Sequence, residues 1–192
     1  MRIALTGGIA CGKSLVAKYL NEFGVETIDA DDVVHELIPD PAERKRLAAE
    51  VFGNEAKRKE LEAKIHPLVK ARIERWLEDF RRKTEDGDVL CLKSKVLRIA
   101  IIPLLFETHW DSDYDIICCV KSERDLQVSR MMTTRGYTRD EAEARLKAQM
   151  PVEEKAAKSH YVIDNNGSVE ELKSEVKKFI SWLMNSTCSQ GR

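Results

Sequence analysis

Directly after the apolar run Ile3-Ala4-Leu5-Thr6 stand eight residues, Gly7-Gly8-Ile9-Ala10-Cys11-Gly12-Lys13-Ser14, that spell G-x-x-x-x-G-K-[ST] in full. The flanks fit the motif. A strand-like run precedes it, and an amphipathic stretch from Lys13 follows, with Val16, Leu20 and Phe23 on one face and Gly24 as its stop. A strand, a glycine-rich turn and a helix in that order commit the chain to an α/β fold with a phosphate cradle. Successive backbone N–H groups from Gly8, Ala10, Cys11, Gly12, Lys13, Ser14 and Leu15, together with the positive end of the helix, are placed to surround phosphate oxygens. Lys13 has the reach for the β- and γ-phosphates of ATP, and the Ser14 hydroxyl is the expected ligand of its Mg²⁺.

Downstream, short apolar runs alternate with amphipathic stretches, the pattern of a parallel sheet covered by helices. Val25 to Ile28 reads as a second strand, ending in Asp29-Ala30-Asp31-Asp32. Val96 to Ile102 reads as a third, closed by Pro103-Leu104-Leu105-Phe106-Glu107. Tyr114 to Val120 is apolar on both faces, as a buried parallel strand should be, and Tyr161 to Ile163 is the last strand. Between Val33 and Thr84 the chain is charged and helical, with Leu61, Ile65, Val69, Ile73, Trp76, Leu77 and Phe80 recurring on one face. Pro67 interrupts that pattern, so a helix is expected to restart there. Glu85-Asp86-Gly87-Asp88 reads as a turn, and Val89 to Lys95 as a hairpin or an irregular loop. Ser122 is expected to cap one helix, and Thr138-Arg139-Asp140-Glu141 and Ser168-Val169-Glu170-Glu171 are capping boxes for two more. The final helix turns Leu172, Val176, Phe179, Ile180 and Leu183 inward and gives way to a polar tail after Asn185.

At 192 residues the chain fits one domain with room for an inserted subdomain. A formal net charge of −1 argues against a nucleic-acid binder, which carries a basic excess. No run of about 18 apolar residues is present, which excludes a transmembrane helix, and no long apolar leader follows Met1. Cys11, Cys91, Cys118, Cys119 and Cys188 form no C-x-x-C pair. Cys118 and Cys119 lie in an apolar run, so buried reduced thiols and a cytoplasmic location are expected. Cys11, inside the loop at a helix N-terminus, is expected to be the most reactive of the five.

A loop of this kind serves several enzyme classes. The N-K-x-D reader of a GTPase is absent, and Asp164-Asn165-Asn166-Gly167, which fits D-x-x-G, comes too late for a switch element. The serine-glycine-glycine signature of an ABC-type ATPase is also absent, which leaves a small kinase. Asp29 and Asp31 end the second strand, at the sheet edge where open parallel sheets bind ligands. A carboxylate there suits two tasks: accepting the proton of an attacking hydroxyl, or, for Asp31 or Asp32, capping the helix near Val33. Taken alone, Arg130 is a solvated arginine on a helix face, and Arg145 and Gln149 are an i,i+4 pair on one face. His66 sits at the expected helix start, and Glu107 either caps the next turn or holds a water of the Mg²⁺ shell. The histidines and cysteines show no metal-ligand spacing, so Mg²⁺ should arrive with ATP.

The opening Ala4 to Ile9, with Cys11 to Ser14, resembles that of the dephospho-CoA kinase family. So do Ile28-Asp29-Ala30-Asp31, His66-Pro67, Ile102 to Glu107 and Tyr161 to Gly167, in the family's order and across nearly the whole chain. The resemblance implies a nucleotide-kinase-like three-layer sandwich with a five-stranded parallel sheet in the order 2-3-1-4-5. It implies a core of 1–32, 96–130 and 151–185, a helical CoA-binding subdomain over 33–95 and a mobile lid over 131–150. On that pattern Asp31 is the general base, Arg130 stabilises the transferring phosphoryl group, and Thr6, His66 and Leu104 lie on the acceptor side. Arg145 approaches ATP from the lid. The implied reaction is ATP-dependent phosphorylation of the 3′-hydroxyl of dephospho-coenzyme A.

The chain also departs from the family pattern. Ala10 replaces a usual glycine and Cys11 a usual serine, both small enough for the cradle to survive. The stretch from Leu37 to Val51 is short and lacks a usual arginine, for which Arg44 or Arg46 could stand in, and Glu85 to Lys95 is long. In the lid a second arginine falls on Thr134, with Arg135 one place later. Two rivals remain: a nucleoside monophosphate kinase, whose anionic acceptor the Asp29-to-Asp32 cluster would repel, and a non-catalytic ATP-sensing module, which has no need for Asp31 with Arg130.

Overall fold

The computed structural model describes residues 1–51, 54–85 and 97–188, which fall into two compact units: 1–27 with 97–188, and 28–85. In chain order the elements are β1 (Ile3–Gly7), α1 (Lys13–Glu22), β2 (Glu26–Asp29), α2 (Ala30–Leu37), α3 (Pro41–Val51) and α4 (Glu55–Glu85). There follow β3 (Arg98–Ile101), β4 (Ile116–Lys121), α5 (Arg124–Arg135), α6 (Arg139–Lys147), α7 (Val152–Ala157), β5 (Tyr161–Asp164) and α8 (Val169–Cys188). The sheet order is β2-β3-β1-β4-β5, as the family resemblance implies.

The first unit is built on β1, which pairs in parallel with β3 (Ile3 opposite Ile99) and with β4 (Ile3 opposite Ile116, Gly7 opposite Val120). Every residue of β1 is buried, which is why its apolar run shows no alternation. Val16, Tyr19 and Leu20 of α1 and Leu172, Val176, Phe179, Ile180 and Leu183 of α8 join one core with the strands. Tyr161 of β5 packs its ring 5.0 Å from Phe179 and 5.1 Å from Trp182, and Lys173 of α8 donates to Glu22 of α1 at 3.0 Å. Cys118 and Cys119 are buried and free, as expected. Burial raises both thiols, Cys119 to about 12.

The second unit is helical. Val33 of α2 and Val69 and Ile73 of α4 are buried, Arg72 of α4 pairs with Glu36 of α2 at 3.3 Å, and α3 buries no residue.

Three local expectations are corrected, and one helix had not been expected. Helix α4 does not restart at Pro67 but runs through it; the cost is one missing backbone donor, and burial of Val69 and Ile73 just beyond holds the helix together. Ser122 does not cap α5; Glu123 is the N-cap residue, with no side-chain cap bond, because the Ser122 hydroxyl is used elsewhere. Helix α8 continues past Asn185 to Cys188. Helix α7, six residues long, was too short to show a period in the sequence. Both capping boxes form: Glu141 N–H donates to Thr138 Oγ1, and Glu171 N–H to Ser168 Oγ. The turn after Glu85, the stretch Val89 to Lys95, Cys91 and the side chain of Phe80 lie outside the described residues.

Candidate active site

Strand β1 ends at Gly7, and after five intervening residues α1 begins at Lys13. Gly12, its N-cap, has φ 90°, a left-handed conformation that glycine enters without strain. A Cβ there would also stand 2.3 Å from Asn165 Nδ2. Ala10 takes φ 57°, so the cradle survives the change from glycine with a strained residue in it, a cost of about 1 kcal/mol. Lys13 Nζ donates to the carbonyls of Gly7 at 3.0 Å and Gly8 at 2.9 Å, which stations its charge on the loop. Ser14 is exposed in the first turn of α1, and Leu15 packs against the core.

Cys11 overturns the sequence expectation. Its side chain is fully buried in the core, where Gln127 Nε2 donates to Sγ. Only its backbone lines the loop, so the residue serves by size rather than reactivity. Its carbonyl accepts from Asn165 Nδ2 at 2.8 Å.

Arg130 is not the solvated arginine of a helix face. Its guanidinium turns inward from α5, donating to Ser122 Oγ at 2.9 Å, the Asn165 carbonyl at 3.0 Å and the Ala10 carbonyl at 3.4 Å. The Ser122 hydroxyl donates in turn to the Asn165 carbonyl at 2.9 Å. The ends of β4 and β5 thus hold a cation at the loop. Ser122, Gln127 and Asn165 are buried. Sequence reasoning missed their roles, and only Asn165 carried a signal, as part of the Tyr161 to Gly167 run.

Thr6 is buried and donates to the Pro103 carbonyl at 3.4 Å. Glu107 does not cap a turn: its Oε1 accepts from Lys155 Nζ at 2.7 Å and from the Met150 N–H at 3.1 Å. Its Oε2 is buried with no hydrogen-bond partner among the described residues. Leu104, between Pro103 and Glu107, is exposed. Arg145 lies over the Tyr137 ring, 4.3 Å from its centre. Gln149 stands beyond the end of α6, so the two do not form the expected helical pair. It lines a cavity of about 470 Å³ with Gly8, Ile9, Gln127, Leu146 and Val152.

In the second unit, Asp29 is the helix cap, its carboxylate accepting from the Asp31 N–H at 2.9 Å. Asp31 and Asp32 therefore do not cap, and the exposed Asp31 carboxylate has no hydrogen bond among the described residues. His66 lies inside α4 rather than at a helix start. Arg44 Nη1 donates to the Ile38 and Pro39 carbonyls at 2.6 and 3.0 Å, and Arg46 lies beside Glu43 and Glu50, so both arginines have structural work within the unit.

A glycine-rich loop with its lysine, beside an inward arginine and on a sheet of order 2-3-1-4-5, defines a P-loop kinase. The chain belongs to the dephospho-CoA kinase family, whose profile matches residues 1–43 and 40–171. The dephospho-CoA kinase of Geobacter sulfurreducens is 36% identical over 197 residues, 92% of this chain and 95% of that protein. That of Symbiobacterium thermophilum is 35% identical over 196 residues, covering 91% of this chain and 78% of its own. The solved dephospho-CoA kinase from Campylobacter jejuni shares the fold with a TM-score of 0.70 at 24% identity, over 97% of this chain and 98% of that one.

Proposed function

We propose that the chain transfers the γ-phosphoryl of ATP to the 3′-hydroxyl of dephospho-CoA, giving CoA and ADP, and that it does so in the cytoplasm. Family membership supports the choice of substrates. The observation that carries the mechanism is Arg130, held beside the loop by Ser122 and two carbonyls instead of in solvent. Among the described residues no helix is long and apolar enough to cross a membrane.

ATP enters as its Mg²⁺ complex, with phosphates on the backbone from Gly8 to Leu15. Charge builds on the phosphoryl oxygens during transfer, and Lys13 and Arg130 oppose it. Asp31 takes the proton of the attacking hydroxyl; its freedom from capping supports that assignment. Ser14 and Glu107 are the residues fit to meet the Mg²⁺ shell, Ser14 by its exposed hydroxyl and Glu107 by the buried Oε2, which requires a donor such as a metal-bound water. When bound there, the ion would supply neutralisation of phosphate charge. Thr6, His66 and Leu104 are assigned to the acceptor side. Segment 131–150 acts as the lid, with Arg145 directed to ATP. A nucleoside monophosphate acceptor is not favoured, since Asp29, Asp31 and Asp32 would repel its phosphate.

Purified chain with MgATP and either dephospho-CoA or AMP tests the reaction, with CoA and ADP measured as products. Phosphorylation of AMP but not dephospho-CoA refutes it. Asp31→Asn tests the base: turnover should drop ~10²-fold or more with the unfolding midpoint unchanged. Full activity in Asp31→Asn, with loss in Asp29→Asn, would transfer the role to Asp29.

A further inference from the structure

Lys155 is completely buried on α7, yet nothing in the chemistry above uses it. Burying an ammonium costs several kcal/mol unless it is well paired. Here it has two partners: the Pro103 carbonyl at 2.9 Å and Glu107 Oε1 at 2.7 Å. Both belong to the loop that closes β3. The same Pro103 carbonyl accepts from the hydroxyl of Thr6 on β1. The same Glu107 oxygen accepts from the N–H of Met150, just before the Pro151 that opens α7. One ammonium therefore ties the end of β1, the loop after β3 and the root of segment 131–150 together. With Oε1 engaged in this way, Glu107 Oε2 is buried without a hydrogen-bond partner among the described residues. For packing alone, an apolar residue of similar volume would serve as well or better.

We propose that Lys155 is a positioning residue for phosphoryl transfer, acting through Glu107: it aligns that carboxylate so that Oε2 takes a donor brought by the ligand, and it holds the root of segment 131–150. The proposal rests on the phosphoryl-transfer reading above. ATP binding depends on the loop backbone and Lys13, so loss of Lys155 lowers kcat and spares KM for ATP.

The test uses the full chain with Lys155→Met, Glu107→Gln and the double variant, assayed for kcat, KM for ATP and amide hydrogen exchange at Met150. Lys155→Met is expected to lower kcat ~tenfold or more, with KM for ATP changed less than about twofold and faster exchange at Met150. Within the Glu107→Gln background the same change should alter kcat less than about twofold, because the route through Glu107 is already gone. The double variant leaves no unpaired buried charge. If Lys155→Met alone does not fold, a difference in kcat of more than about twofold between Glu107→Gln and the double variant still overturns the proposal. Equal losses of kcat in both backgrounds, wild-type kcat in folded Lys155→Met, or unchanged Met150 exchange in folded Lys155→Met overturns the proposal. Failure of the unsubstituted chain to phosphorylate dephospho-CoA refutes the underlying reaction instead.

Discussion

Gly12 and Gly24 bracket α1 and share a left-handed backbone, with φ of 90° and 80°. Their surroundings differ. A Cβ on Gly24 meets nothing within 4 Å, whereas one on Gly12 would stand 2.3 Å from Asn165 Nδ2. Gly24→Ala therefore carries only the backbone strain, about 1 kcal/mol. Gly12→Ala carries the same strain and must also displace Asn165, which is buried and donates to the Cys11 carbonyl at 2.8 Å. Breaking that bond strands a buried donor and acceptor, a further ~1–3 kcal/mol. The sum for Gly12→Ala is ~2–4 kcal/mol, two to four times that of its partner. Urea unfolding with an unchanged m-value reads the difference directly; in thermal melts each kcal/mol moves the midpoint by roughly 2–4 °C for a chain of this size. Turnover separates the two further: Gly24→Ala keeps it, while Gly12→Ala loses ~10²-fold or more because the cradle is displaced. Equal destabilisation in the two variants, or wild-type turnover in Gly12→Ala, refutes the reasoning.

Lys13→Ala should remove on the order of 3 kcal/mol or more of transition-state stabilisation with an unchanged circular dichroism spectrum; near-normal activity would remove Lys13 from the mechanism. Asp29→Ala should destabilise by ~1 kcal/mol through loss of the α2 cap while Asp29→Asn is nearly neutral, since asparagine also caps; equal unfolding midpoints for the two would contradict the cap. Brief iodoacetamide treatment followed by mass spectrometry should leave Cys11, Cys118 and Cys119 unmodified until denaturant is added, because all three are buried. For Cys119, raised to about 12 by burial, the thiolate fraction at pH 8 is roughly one in ten thousand. Native labelling of Cys11 would restore the reading of a reactive loop thiol.

The sheet and its flanking helices were legible because their signals are local. Ile3 to Leu5 and Ile116 to Val120 announce buried strands by unbroken apolarity, and both capping boxes state their own register. Strand order came only through the family resemblance, since nothing local in a strand names its neighbour. The misses at Pro67 and α7 have different causes: tertiary packing overrode a local rule at Pro67, and α7 was too short for a period to register.

The site divides along a different line. Backbone chemistry could be read from residue types, because a glycine or lysine at a given motif position has one conformation or one reach. Side-chain direction could not. Cys11 reads as a loop thiol until the chain folds and turns Sγ into the core toward Gln127. Arg130 reads as a surface cation until Ser122 and Asn165, both at strand ends, give it somewhere buried to donate. Lys155 stands among Glu153, Glu154 and Lys158, a run that spells a solvated face, and yet it is the most deeply buried cation of the described residues. Each has a deciding partner far along the chain, at a separation of 116 residues for Cys11 and Gln127, 35 for Arg130 and Asn165, and 52 for Lys155 and Pro103. Polar groups that position a site through such distant partners leave no period and no spacing. Their signature is energetic: a buried donor or charge whose removal strands its partner, and double-variant cycles detect that whether or not the residue touches a substrate.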